Sequence, residues 1–171
     1  MRSCRFVFAV HVLAVLALRP GEFCSSSLLA STVNTNPVVI RRLLIDLQSA
    51  GLIGTVRGPR GGAYLAKAPS EVTLWQVQHA VAPQEAFALH PNEPSRRCPV
   101  GASIERVMAE VHEQLLEAME RELKRVTLAD VLVRLERVRD HVGRQTIDRP
   151  TGCVRTGESR ASEANESGLI L

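Results

Sequence analysis

The sequence predicts a mainly α-helical fold carrying one small β-hairpin, followed by a long separate helix. Three observations support this. Apolar residues recur at helical spacing, most cleanly at Ile40, Leu43, Leu44 and Leu47, and again from Ile104 to Leu123. One Gly- and Arg-rich segment, Arg57 to Gly62, separates two short strand-like runs. The aromatic fraction is 4% within a hydrophobic fraction of 45%, so the core must be Leu, Val, Ile and Ala, which favours helices over an all-β sandwich.

The elements follow in order. Cys4 to Leu18 is an apolar helix ended by Pro20-Gly21. The polar stretch Cys24 to Ser27 offers an N-cap for a short helix through Val33, which Asn34-Thr35 breaks. Asn36 suits the next N-cap, and Pro37 suits the first helical position, where a missing N–H costs nothing. That helix runs to Ala50 with Gly51 behind it. Leu52 to Val56 and Ala63 to Ala66 read as the two strands of a hairpin. Thr73 caps a short helix, Leu74 to Val81.

Residues 83–103 read as an irregular connecting or sensor loop. From Ile104 a long amphipathic helix sets Ile104, Val107, Met108, Val111, Leu115, Met119 and Leu123 at spacings of three and four. Thr127 and Asp130 form a capping box for a further helix toward Val138. The chain thus divides into a domain over 1–82, the loop 83–103, dimerisation helices over 104–140 and a tail, 141–171, expected to be disordered.

Charge is unevenly placed. The net charge is +3, but residues 1–90 hold eight Lys/Arg against four Asp/Glu, with Arg41, Arg42, Arg57 and Arg60 among them. A basic patch is the minimum requirement for binding phosphates. Two short helices with a tight turn, the second basic on its free face, then a basic hairpin, make a winged helix-turn-helix. Ala30 is small where the two helices approach, and Asn34 tolerates a left-handed turn. The second helix of such a motif presents its N-terminal residues to base edges in the major groove.

The series Val33-Asn34-Thr35-Asn36-Pro37-Val38-Val39-Ile40-Arg41-Arg42-Leu43-Leu44, Ala50-Gly51-Leu52, Arg57-Gly58-Pro59-Arg60-Gly61-Gly62, Glu71-Val72-Thr73-Leu74 and Cys98-Pro99-Val100-Gly101 resembles one bacterial family. It is the family of winged-helix regulators typified by IscR, NsrR and CymR, and the resemblance spans about residues 2–135. It implies a transcriptional regulator, read as a repressor, that binds double-stranded DNA as a homodimer. Thr35, Asn36, Val38, Arg41 and Arg42 would face the major groove and phosphates, while Arg57, with Arg60 beside it, would serve the wing. The dimer would form on the long helix, through Ile104, Met108, Val111, Leu115 and Met119.

The chain departs from the pattern in one respect. Members with an iron–sulfur cluster use three cysteines before the dimer helix, and this chain has one there, Cys98. A cluster needs more thiolates, so no cofactor and no metal are expected. Cys98, beside Arg96 and Arg97 near a helix start, is a candidate redox or electrophile sensor, although a lone cysteine is more often inert packing.

Other classes find less support. Cys4, Cys24, Cys98 and Cys153 form no C-x-x-C pair and are too sparse for a disulfide framework, so reduced thiols and a cytoplasmic location are expected. Phe6 to Leu18 superficially resembles a signal peptide, but it holds His11, lacks a small-x-small site and is shorter than the about 20 residues that span a bilayer. His90, His112 and Cys98 have no familiar metal spacing, and no catalytic constellation is present, so an enzyme is not expected. The wing lacks the Lys-Ser/Thr of a nucleotide-binding loop. The alternative is a helical interaction module that dimerises without touching DNA.

Overall fold

A computed structural model describes residues 4–82, 94–95, 97–142 and 153–155. Helix α1 (Arg5–Ala17) leads through strand β1 (Glu22–Cys24) into α2 (Ser26–Val33) and α3 (Pro37–Ser49). Strands β2 (Ile53–Val56) and β3 (Gly62–Leu65) form the hairpin, and α4 (Leu74–Val81) closes the domain. Helices α5 (Ile104–Arg125) and α6 (Leu128–Val142) follow, and a last strand, β4, covers Cys153–Arg155.

The helix boundaries have local causes. Ser25 caps α2 by accepting from the Leu28 N–H, and Asn36 Oδ1 caps α3 by accepting from the Val38 N–H at 2.8 Å, with Pro37 at the first position. The expected caps at Thr73 and Thr127 are both present. Thr73 exchanges hydrogen bonds with Gln76, and Thr127 with Asp130. The two caps also meet. Thr73 and Thr127 pair as an antiparallel bridge, flanked by Leu74 N–H to Val126 C=O and Leu128 N–H to Val72 C=O. This bridge fastens the start of α4 to the α5–α6 junction.

One hydrophobic core serves the whole domain. Val12 and Leu13 of α1, Leu29 of α2, Ile40, Leu43 and Leu47 of α3, Val77 of α4 and Leu128 of α6 are all essentially sealed from solvent. Each fully buried Leu or Val contributes about 1.5–3 kcal/mol relative to exposure. The stripe at Ile40, Leu43, Leu44 and Leu47 is thus the buried face of α3, as its spacing predicts. The apolar run of α1 is spent on the same core.

The sheet is larger than the sequence suggests. Its order is β2-β3-β1-β4, with every pairing antiparallel. Strand β1 pairs with β3 through Cys24 and Ala63, and with β4 through Glu22–Arg155, Phe23–Val154 and Cys24–Cys153. Two expectations are corrected here. Residues 153–155 of the tail form a paired strand rather than disordered chain; the tail's other residues from 143 onward lie outside the described ones. Cys24 is disulfide-bonded, not a reduced thiol, whereas Cys4 and Cys98 are exposed and carry no disulfide. Residue spacing reveals only local cysteine motifs, and a bond made across a sheet leaves no such trace.

Candidate nucleic-acid interface

The turn between α2 and α3 fixes the angle at which α3 leaves the body. Asn34 closes α2 with φ 56°, the one non-glycine residue with positive φ among those described. The Thr35 N–H returns to the Ala30 carbonyl at 3.0 Å, and the Asn34 N–H to Ser31. Asn tolerates this left-handed conformation where most residues do not. Ala30 itself is buried, as the close approach of the two helices requires.

With Ile40, Leu43, Leu44 and Leu47 turned inward, the opposite face of α3 is open. It carries Val38, Arg41, Arg42 and Ile45, all exposed. Thr35 is half-buried, and Asn36, though exposed, commits its side-chain oxygen to the cap. Ile45, 62% exposed one turn beyond Arg41 and Arg42, was missed by sequence reasoning. The i, i+3, i+4, i+7 relation of Val38, Arg41, Arg42 and Ile45 was the signal that could have found it.

The hairpin forms a wing. Its tip, residues 57–61, turns on Gly58 at φ 117°, a conformation that favours glycine, and the Gly61 N–H bonds the Gly58 carbonyl at 3.0 Å. Arg57 and Arg60 are exposed on that turn. Among the described residues none of Arg41, Arg42, Arg57 and Arg60 makes a hydrogen bond or ion pair. Wing and helix are joined at their root, where the Thr55 hydroxyl donates to Gln48 Oε1 at 3.2 Å. Their contact is not legible in the sequence, because it depends on how the hairpin folds back.

A second anchor lies behind α3. The Arg5 guanidinium pairs with Asp46 of α3, and its Nε donates to the Val81 carbonyl at 2.8 Å. One side chain thus ties α1, α3 and the end of α4.

The apolar stripe of α5, on which a dimer is expected, is partly exposed. Helix α5 has no buried residue. Val107, Val111 and Leu115 are exposed at 51%, 38% and 47%, while Ile104, Met108 and Met119 are half-buried. Cys98 stands exposed in the turn before α5, its N–H bonded to Ser95 and its carbonyl accepting from Ala102. Among the described residues no group of three or more His, Cys, Asp and Glu could hold a metal ion, and no helix is long and apolar enough to cross a membrane.

Residues 2–134 match the sequence profile of the Rrf2 family, described as iron-dependent transcriptional regulators. YwnA of Bacillus subtilis (strain 168) is 40% identical over 133 residues, covering 77% of this chain and 97% of that protein. The HTH-type transcriptional regulator NsrR of Geobacillus kaustophilus (strain HTA426) is 33% identical over 130 residues, covering 73% and 84%. Among solved structures, IscR of T. potens superposes with a TM-score of 0.61 at 23% identity, covering 81% of this chain and 90% of its own. CymR of B. subtilis gives 0.58 at 21%, covering 78% and 96%. These two structural likenesses show the shared fold. With the profile matched over most of its length, the chain belongs to the Rrf2 family and is a DNA-binding transcriptional regulator.

Proposed function

We propose that the protein binds a pseudo-palindromic operator as a homodimer and represses from it. The observation that carries this reading is the open face of α3, where adjacent Arg41 and Arg42 have no protein partner. A guanidinium held on a helix without a carboxylate beside it is ready for a phosphate or a guanine edge. Val38 beside them supplies an apolar surface suited to a thymine methyl. Arg57 and Arg60 extend the same chemistry to a minor groove at the wing.

Dimerisation follows from α5. Val107, Val111 and Leu115 form an apolar stripe that nothing in the chain's described residues covers, and a second copy would bury it. Two α3 helices would then reach successive major grooves about 34–36 Å apart. The protein works where chromosomal DNA is, in the cytoplasm. It has no enzymatic role, and the alternative of an interaction module without DNA gains nothing from the unpaired arginines.

No iron–sulfur cluster is part of this reading. Cys98 stands alone before α5, and Cys24 is disulfide-bonded and fully buried, so the donors do not fit a cluster of the kind the family name suggests. Cys98 remains a candidate for a thiol signal through its exposure alone. Binding of selected duplex DNA, followed by anisotropy at two salt concentrations, tests the function. Affinity should fall steeply with salt, and a flat, weak response would overturn it.

A further inference from the structure

We propose that Cys24 and Cys153 form a reversible thiol–disulfide pair that latches strand β4 onto the root of the wing, with a peroxide as its oxidant. Cys24 is disulfide-bonded, and of the other three cysteines Cys4 and Cys98 carry no disulfide. The β1–β4 register sets Cys24 directly opposite Cys153. Facing residues of antiparallel strands have Cα atoms about 4.5–5.5 Å apart, within the about 4.4–6.8 Å that a disulfide spans. Two of four cysteines thus meet in one pair of the ladder, although more than a hundred residues separate them in sequence.

The position of Cys24 gives the bond its consequence. Cys24 is fully buried, and the next residue, Ser25, is the N-cap of α2. On its other side Cys24 pairs with Ala63 of the wing's returning strand. The seat is close: a Cβ on Gly62 would stand 2.6 Å from the Cys24 carbonyl carbon and oxygen. The residue therefore joins the first helix of the helix-turn-helix to the wing.

Strand β4 is three residues long and reaches β1 only by closing a long loop. So short a strand is not held by its ladder alone against the entropy of that closure. The covalent bond decides whether β4 is present. Oxidised, the sheet has four strands and β1 is an inner one; reduced, β4 leaves and β1 becomes an edge.

The chemistry balances with one peroxide. A thiolate attacks the peroxide oxygen, becoming a sulfenic acid and releasing water once a proton is taken up. The second thiol attacks the sulfenic sulfur, the S–S bond forms, and a second water leaves. Two thiols and one hydrogen peroxide give one disulfide and two waters. A dithiol reverses the bond by exchange, itself ending as a disulfide.

The effect on DNA rests on the function proposed above. Holding β1 between two strands orders the junction of α2 and the wing before DNA arrives, so the oxidised protein should bind the tighter, by about threefold or more.

The full-length protein, reduced with dithiothreitol and then treated with hydrogen peroxide, provides the test. After blocking residual thiols with N-ethylmaleimide under denaturing conditions, peptide mapping should find the Cys24 and Cys153 peptides joined. The link should vanish with dithiothreitol and be absent in Cys153→Ser, which keeps the buried Cys24 in place should Cys24→Ser fail to fold. Oxidation should slow amide exchange over 22–24 and 62–65 in the wild type but not in Cys153→Ser. A maleimide-labelled Cys24 after peroxide, or Cys24 joined to Cys4 or Cys98, overturns the pair, and unchanged exchange overturns the latch. Equal affinity of both forms for a selected duplex overturns the coupling to DNA. Absence of duplex binding in both forms instead strikes the proposed function, while mapping and exchange still decide the latch.

Discussion

The ring of Tyr64 lies across Gly54 on the facing strand, so close that a Cβ at Gly54 would stand 2.3 Å from Tyr64 Cζ. Phe23 of β1 meets the same ring edge-on, with centroids 5.7 Å apart. Tyr64 thus links three of the sheet's four strands, β2, β3 and β1, and the space it uses exists because residue 54 has no side chain.

Gly54→Ala should therefore displace Tyr64. The ring is 38% exposed and its far end can swing outward, so the cost is the lost Phe23 contact rather than a broken backbone. That is about 0.5–1.5 kcal/mol for an aromatic pair. Tyr64 is the chain's single tyrosine, so its ring resonances are unambiguous. The nuclear Overhauser contact between Tyr64 and Phe23 should disappear in the variant, and urea unfolding should show the small loss. A retained contact with unchanged stability would contradict this arrangement.

Acid stability should report the cap of α6. The Thr127 backbone N–H, and then its hydroxyl, donate to Asp130 and hold its carboxyl below its ordinary value of 3.8. A folded-state value depressed in this way contributes stability that is complete above the unfolded value and is lost as pH falls through the folded one. The contribution should be present at neutral pH and decline below about 3.8. Acid titrations followed by circular dichroism should be shallower there for Asp130→Asn than for the wild type. Superimposable curves would show that the cap does not couple to folding.

The dimer can be tested on α5. Leu115 is 47% exposed and Met119 half-buried on the stripe proposed as the dimer seam. Changing both to Glu should yield monomers in sedimentation, with the domain still folded because no buried residue of the core is touched. Losing one of two tethered half-site contacts should weaken duplex binding by about a hundredfold or more. A fully dimeric double variant would remove α5 as the interface.

What the sequence made legible, and what it concealed, divides along contact range. The α2–α3 turn was readable because Asn34, Asn36 and Pro37 act on their own backbone, and α3 because Ile40, Leu43, Leu44 and Leu47 repeat with the helix period. Arg41 and Arg42 follow as the residues left outside. Strands β1 and β4 were not readable, since three residues are too few for alternation to register. The Thr55–Gln48 bond, the Arg5–Asp46 pair and the disulfide at Cys24 share that obscurity, each joining residues that only the folded chain brings together. The bridge between Thr73 and Thr127 is an intermediate case: both caps were evident, their meeting was not.

Two kinds of DNA contact should separate when the unpaired arginines are removed one at a time. Arg57, on the wing's tip, suits a narrow minor groove, where the negative potential is enhanced and A·T is told from G·C. Arg57→Ala should therefore weaken binding most on sites with A·T-rich flanks. Arg41 and Arg42 lie on the open face of α3, within the reach of guanine edges or flanking phosphates. If Arg42 pairs with a guanine, Arg42→Ala should cost about 1–3 kcal/mol and relax preference at that base pair. If it holds a phosphate, the loss should be nearly uniform across sequences and the salt slope should drop by about one unit. All three arginines are exposed and unpaired, so these substitutions should leave stability unchanged, and any loss of affinity belongs to the contact itself. Titrating Arg41→Ala, Arg42→Ala and Arg57→Ala against a selected and a random duplex at two salt concentrations distinguishes the cases. Wild-type affinity in all three variants would remove α3 and the wing as the DNA-binding surface.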